Sequence, residues 1–456
     1  MRKYIFLLCL VFICFQNSAA EAVSLEPFKP DDRVLIFAPH PDDEVLCSGG
    51  VIQRVISSGG KCKVVYFTSG DHNQLAFIFY KKKMVLKREG FIEIGQIRAR
   101  EAVGAVESLG LSRDDIIFLG YPDLGSFNIL ISHWQNGCPY SDFFTGISRV
   151  PYEHCLSPGA EYTGGSILKD IEKTILDFKP TKILVSHPAD MNPDHRCLYA
   201  FMRLALWNLE EDISAPAVCP CLVHSKAYPR PRGYYPKAKL MPPACLSEST
   251  IAWKEMLLNQ QEIDKKLNAL SFYTSQRAYL WKFMLSFVRS NELFGDYPDI
   301  VLKESHWNGL NGSGISQPKD TALNSNAEDK DKPDIFFRAS KSGLFVKVVL
   351  NRKMKKDFKI TFLLLGYSKK KDFSQMPKIS LSVVKSKLRI AEGGRRLDRR
   401  QCQLVFDSKK SLVIKIPFSF LGKPDKLLFS LKSNAAGLHK YANIWRAIDI
   451  CQKTDP

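Results

Sequence analysis

Four apolar runs in the first half of the chain, Val34–Phe37, Lys63–Thr68, Ile116–Leu119 and Lys182–Ser186, are short and nearly continuous rather than alternating. Strands covered on both faces read this way. Apolar residues three and four apart mark helices over Glu44 to Ser58, Arg98 to Leu109, Ser166 to Phe178 and Asp194 to Trp207. Strand, helix and strand at this spacing predict βαβ units, and so an α/β fold: a Rossmann-like, mainly parallel sheet with helices on both faces. A proline-rich, irregular stretch over 208–245 comes next, followed by a helical pattern from Ser249 to Val288.

The pattern then changes. Residues 308–332 hold almost no apolar side chains and read as a linker, which we place at 301–332. Beyond it come short strand-like runs such as "GLFVKVVL", "FKITFLLLGY" and "SLVIKIPF", punctuated by Gly, Asp and Pro. They predict an all-β, sandwich-like domain over 333–456 after an α/β domain over 31–300. The division agrees with 456 residues being too many for one ordinary core.

Residues 1–20 follow neither pattern. Arg2 and Lys3 precede the apolar run Tyr4 to Phe15, and Ser18-Ala19-Ala20 supplies small residues for cleavage. This is the pattern of a secretory signal peptide, implying export to a periplasmic, cell-envelope or extracellular location. The alternative is an uncleaved anchor, for which the run is short against the roughly 20 residues that span a bilayer. In an oxidising compartment the ten cysteines after residue 20 would be expected to form disulfides.

Charge alters the picture of the second domain only. From Lys330 onward 30 Lys and Arg face 10 Asp and Glu, while the rest of the chain is near neutral. A basic surface favours an anionic polysaccharide or a membrane surface, and an exported protein gives no reason to expect nucleic acid. A solvated, lysine-rich face is the plainer alternative.

The chemistry lies at the predicted strand ends. "HPDDE", residues 40–44, crowds a histidine and three acids directly after the first strand, where desolvated negative charge calls for a positive partner. "SHPADMNPDHRCLY" lies at the end of a later strand and supplies His195 at a helix start. Ligands bind beyond the carboxyl ends of strands in such sheets, so both clusters fall on one rim. His40, Asp43 and His195 then make a three-ligand metal site with an open position for water, and Asp42 is free to carry protons. Zn2+ suits that set best, with Fe2+ or Co2+ also acceptable.

These elements resemble the PIG-L/LmbE family of zinc-dependent N-acetylglucosamine de-N-acetylases. Pro39 to Glu44, Gly49 and Gly50, "IRAREAVGAVESLG", "LGYPD" at Leu119–Asp123, Pro193-Asp194-His195 and "KKLNALSFYTSQ" carry the similarity, which extends from residue 33 to about residue 290. The resemblance implies His40, Asp43 and His195 as metal ligands, and Asp42 as the general base and acid toward metal-bound water. It implies Arg98 and Asp123 as substrate contacts. Against these stand an ordinary ion pair of Arg98 with Glu101 and a simple turn at Asp123 after Pro122.

Two departures matter. Many relatives carry HPDH where this chain has Asn192, so the residue that steadies the oxyanion is expected to be Asn192 itself or His187. Tyr273 stands where many relatives have a histidine. Residues 70–91 extend the loop after the second strand, and Phe77, Phe79 and Tyr80 ahead of three lysines suggest a lid. The expected activity is hydrolysis of the acetamide of an N-acetylated amino sugar, on a surface glycan or glycolipid. The alternatives are a glycan-binding protein of the same fold with impaired catalysis, and a metal hydrolase of a different amide.

Overall fold

The computed structural model describes residues 22–72, 78, 87–135, 137–246, 250–303, 334–435, 438 and 442–451. The expected signal peptide, the aromatic residues 77, 79 and 80 of the expected lid, and all of the linker beyond residue 303 lie outside these. Among the described residues no helix is long and apolar enough to cross a membrane.

The first unit is built on an eight-stranded sheet. Its strands are β1 (Val23–Ser24), β2 (Arg33–Ala38), β3 (Lys61–Thr68), β4 (Ile116–Tyr121), β5 (Lys182–Ser186), β6 (Ala217–Cys221), β7 (Ala252–Leu257) and β8 (Asn291–Asp296). They lie in the order β1-β7-β8-β6-β5-β2-β3-β4. The run β6-β5-β2-β3-β4 is parallel, and β8 joins it antiparallel. Val34, Leu35, Ile36 and Phe37 of β2 are all buried, as a strand covered on both faces requires. The principal helices are α1 (Asp43–Ser57), α2 (Arg88–Ser108), α3 (Ser126–Ser132), α4 (Gly164–Phe178), α5 (Pro193–Asn208), α6 (Gln260–Ser271) and α7 (Thr274–Met284).

Two expectations are corrected here. The helical pattern from Ser249 opens with a strand: β7 pairs antiparallel with β8 along its full length, with Trp253 and Met256 buried and Ala252, Lys254 and Leu257 exposed. Edge pairing to β8 overrides the helix propensity of "WKEML". Disulfides are absent among the nine cysteines described as free, of which Cys47, Cys62, Cys155, Cys197, Cys221 and Cys402 are buried.

The second unit is a two-sheet β sandwich. Ten further strands run from β10 (Asp334–Ser340) and β11 (Gly343–Val349) through β12 (Lys359–Tyr367), β13 (Lys378–Val384), β14 (Lys387–Glu392), β15 (Arg395–Leu397), β16 (Gln403–Ser408), β17 (Ser411–Pro417) and β18 (Lys426–Ser433) to β19 (Arg446–Cys451). One sheet is β10-β11-β17-β16. The other has seven strands and takes an edge strand, β9 (Ile300–Lys303), from the chain just after β8.

Successive side chains of a strand point to opposite faces. In β12, Ile360, Phe362 and Leu364 enter the core between the two sheets, while Leu365 and Tyr367 join the core of the first unit. Phe373 stands edge-on to Trp134, Tyr367 packs on Trp207, and the Trp445 N–H donates to the Pro188 carbonyl at 3.2 Å. Lys378 seals the seam, its ammonium donating to the carbonyls of Phe373 and Met376 and lying 4.9 Å from the centre of the Trp134 ring. The sandwich is docked on the first unit through a packed apolar face.

Candidate metal centre and active site

β2 ends at Ala38, and the chain turns through Pro39-His40-Pro41-Asp42 into α1. The turn is held from three directions. The His40 N–H donates to Asp43 Oδ2 at 3.1 Å, the Asp42 N–H donates to Glu44 Oε2 at 3.1 Å, and Arg98 Nη2 donates to the Pro41 carbonyl at 2.6 Å. Asp42 sits at the helix N-cap with φ 131, a conformation that side-chain-bearing residues rarely adopt. Arg98 also donates to the Gly70 carbonyl at 2.9 Å. Gly70, at φ 61, has no room for a side chain, since a Cβ there would lie 2.0 Å from Arg98 Nη1. Tyr273 is fully buried and donates to Glu44 Oε1, and burial pushes the Glu44 carboxyl up to about 8.

The second arm comes from β5 and α5. Asn192 caps α5, its side-chain carbonyl accepting from the Asp194 N–H at 2.8 Å, and Pro193 fills the first helical position. This brings His195 to the site. Its Nε2 lies 3.2 Å from His40 Nδ1 and 3.1 Å from Asp43 Oδ2, and His40 Nδ1 is 3.1 Å from the same oxygen.

The outer nitrogens face carboxylates. His195 Nδ1 is 3.2 Å from Asp190 Oδ2, and His40 Nε2 is 3.2 Å from Asp123 Oδ1 and 3.4 Å from Asp194 Oδ2. With those nitrogens protonated, His40 Nδ1 and His195 Nε2 have only lone pairs to direct at Asp43. Three acceptors at hydrogen-bond separation call for a cation between them.

Charge balance gives the same requirement. Asp42, Asp43, Asp123, Asp190 and Asp194 are all buried here, and Arg98 is the one arginine or lysine among the described residues that line the cavity. Two other groups of possible ligands overlap the first: Asp190 with His195 and His224, and His40 with Asp123 and Asp194. Asp190 is committed to the N–H groups of Asn192, Val223 and His224, and Asp194 to the Leu124 N–H and the Ser126 hydroxyl, which leaves His40, Asp43 and His195, beside the cavity, as the group that fits an ion. Two imidazoles and a carboxylate with an open face fit Zn2+, and also Fe2+ or Co2+.

The cavity above this triangle has a volume of about 400 Å³. Asp42, Arg98, Asp123, Asn192 and Gln276 contribute polar groups, and Phe144, Leu280 and Phe283 contribute apolar ones. Asp42 Oδ2 is 3.5 Å from Arg98 Nη2, yet burial pushes its carboxyl up to about 7 despite that guanidinium.

Seven of the eight residues singled out in the sequence are therefore together: Asp42, Asn192, His40, Asp43, His195, Arg98 and Asp123. His187 is not among them. It is fully buried, stacked on Trp253 at 5.6 Å and 9°, and its Nδ1 accepts from the Ala189 N–H, so it belongs to the core beneath the rim. The competing ion pair of Arg98 with Glu101 is also not formed, because Glu101 accepts from Thr274 and Ser275 at the start of α7.

Besides His40, the imidazoles of His72 and His224 line the cavity, and His224, on the loop after β6, is the one beside the triangle. It stands edge-on to His195, at 4.8 Å and 70°, and is stacked on Phe283. Asp190 accepts from the backbone N–H groups of Val223 and His224 at 3.0 and 2.9 Å while facing His195 Nδ1. One buried carboxylate thus fixes both imidazoles. Asp190 had a faint local signal in "PAD", whereas nothing near His224 in the sequence pointed to the site.

A family model described as PIG-L, GlcNAc-PI de-N-acetylase, matches residues 35–206. This chain carries a PIG-L domain. The domain is 26% identical over 184 residues to a 1D-myo-inositol 2-acetamido-2-deoxy-alpha-D-glucopyranoside deacetylase of Mycobacterium sp. (strain KMS), covering 39% of this chain and 52% of the relative. It is 30% identical over 104 residues to the enzyme of the same name from Salinispora arenicola, covering 22% of this chain and 32% of the relative. The chain thus spans about half the length, or less, of these curated relatives. N,N'-diacetylchitobiose deacetylase from Pyrococcus horikoshii aligns at 18% identity and a TM-score of 0.37, over 59% of this chain and 84% of that one.

Proposed function

We propose that the PIG-L domain removes the acetyl group from an N-acetylated amino sugar by metal-dependent hydrolysis. The observation that carries this reading is the triangle of His40, Asp43 and His195 opening on a cavity beside a second, unshared carboxylate, Asp42. His40, Asp43 and His195 would hold a divalent ion, whose chemistry there would be to polarise an acetamide carbonyl and acidify water. Asp42, partly desolvated and with its pKa near neutrality, takes the proton of attacking water and returns it to the departing sugar nitrogen.

Donors to the carbonyl oxygen come from the rim. The oxygen of Asn192 is committed to the helix cap, which leaves its NH2 group to donate. His224, adjacent in the cavity, supplies an imidazole in place of the one that position 192 lacks. In this reading Asp123 and Gln276 meet sugar hydroxyls, Arg98 stiffens the cavity floor through the Pro41 and Gly70 carbonyls beside Asp42, and Phe144 and Phe283 face a pyranose ring. The N-terminal apolar run makes a surface glycan or glycolipid the substrate we favour, acted on after export.

The test is acetate release by the full chain from a panel of N-acetylglucosamine oligomers and glycolipids, with added Zn2+ or a chelator, beside Asp42→Ala. Metal-dependent acetate absent in the variant supports the reading. Stoichiometric metal without acetate from any acetylated sugar refutes it in favour of a binding protein or a hydrolase of another amide.

A further inference from the structure

The basic surplus of the sandwich is divided between its two ends, and the ends are used differently. At the end where β12 finishes and β18 begins, the lysines meet the first unit. Lys426 pairs with Glu210 at 2.6 Å, Lys369 pairs with both Glu210 and Glu211, and Lys378 is buried against Trp134.

The strand registers bring four turns together at the opposite end. Val349 pairs with Ser411, Ser408 with Ser411, Lys359 with Val384, and Ile360 with Ser433. The turns there carry Arg352, Lys353, Lys355 and Lys356, then Lys385 and Lys387, then Lys409 and Lys410, all exposed. None of these eight forms an ion pair among the described residues, and Asp357 is the acid that shares the first of the turns. Like charges gathered in this way repel one another and favour a polyanionic counterpart.

The end is also concave. Residues 350–358 are tied to their neighbours by the Leu350 N–H to the Lys410 carbonyl at 2.8 Å, the Met354 N–H to the Lys409 carbonyl at 2.9 Å, and Asn434 Nδ2 to the Asp357 carbonyl at 2.8 Å. They enclose a cavity of about 150 Å³ lined by Asn351, Arg352, Lys353, Lys355, Phe358 and Asn434, among others. Its floor is apolar, with Leu350 and Phe358 buried, and its wall carries amides and cations. A ring-sized recess of this kind receives one sugar of a chain whose neighbouring acidic groups meet the flanking lysines.

We infer that this end of the sandwich is a binding site for an anionic polysaccharide, carboxylated or sulfated, separate from the metal centre. A lipid surface fits less well, because Leu350 and Phe358 are buried and Met354 is only half-exposed, so no large apolar side chain projects from the recess. Nucleic acid fits less well too, because the aromatic side chain of the recess, Phe358, is buried and offers no face for base stacking.

Binding of the full chain to immobilised polygalacturonate and dextran sulfate tests the inference, with neutral dextran and phosphatidylglycerol vesicles as comparisons. The charge-reversed variant Arg352→Glu/Lys353→Glu/Lys355→Glu is expected to bind both polyanions at least tenfold more weakly. Lys370→Glu/Arg395→Glu/Arg396→Glu makes the same charge change at the opposite end and is expected to stay within twofold of the parent. Lys353→Gln/Lys355→Gln, a milder change, is expected to lose about half as much on a logarithmic scale while keeping the parent melting temperature. Equal losses in the two triple variants, binding to vesicles alone, or no polyanion binding would each overturn the site. Acetate release from a small neutral substrate, expected to be the same in all variants, reports separately on the metal centre.

Discussion

His195 Nε2 lies 3.2 Å from His40 Nδ1, although 155 residues separate the two in the chain. Both nitrogens also lie 3.1 Å from Asp43 Oδ2, so the three ligand atoms form one compact triangle. Removing Asp43, which both nitrogens face, should therefore remove the metal. For Asp43→Ala the expected metal content after dialysis falls from one equivalent to under a tenth, measured by elemental analysis. Retention of a full equivalent would place the ion elsewhere, such as among Asp190, His195 and His224.

Asp190 faces the outer nitrogen of His195 and accepts two backbone N–H groups from the loop carrying His224. Asp190→Asn keeps the shape and loses the charge. Metal affinity should drop by about 10–100-fold, the usual effect of losing an outer partner of a ligand histidine. A competitive chelator titration measures it, and an unchanged affinity would mean that Ser186, also 3.1 Å from His195 Nδ1, is sufficient to orient the ring.

Asp42 is beside the triangle but outside it. Asp42→Asn should keep the metal and lower kcat by about 10²–10⁴-fold, the range for a lost general base. Elemental analysis and initial rates on the same sample separate the two effects. Loss of metal in step with activity would reassign Asp42 as a ligand.

His224→Ala should lower kcat by about 10²-fold with metal content and KM little changed, as for loss of one donor to a developing oxyanion. Asn192→His in that background is expected to recover part of the rate, because it restores an imidazole at the position where related sequences have one. No loss in the first variant would remove His224 from the reaction.

The docking of the sandwich predicts a shared unfolding transition. Phe373 is 3 % exposed and packs 4.6 Å from Trp134 across the seam. Phe373→Ala should cost about 3 kcal/mol, read from urea unfolding followed by tryptophan fluorescence. A second, earlier transition confined to the β domain, in the parent protein, would show instead that the two units unfold separately.

Much of this was legible from local chemistry. Continuous apolar runs identified the parallel strands because burial on both faces leaves no polar alternation. His40 and Asp43, three residues apart after a strand, and Asp194-His195 after an Asn-Pro cap, pointed to a candidate metal site because few other environments tolerate that charge. The separation of Asp42 from Asp43 was also readable, since successive residues at a strand end diverge.

Contacts between distant elements decided the rest. His187 and His224 both follow strands of the sheet, but Trp253 closes over the first while Phe283 and His195 hold the second at the cavity. No local pattern distinguishes them, because the choice depends on what packs against each ring. β7 became a strand because β8 offered it an edge. The lysines of the sandwich are indistinguishable in composition, yet register sent some to the seam with Glu210 and gathered others at the far end. Neighbours along the chain settled the parallel strands and the charged clusters at their ends, because both are local patterns. Which imidazole faces the substrate, and which charges are left without partners, was settled only by packing across the fold.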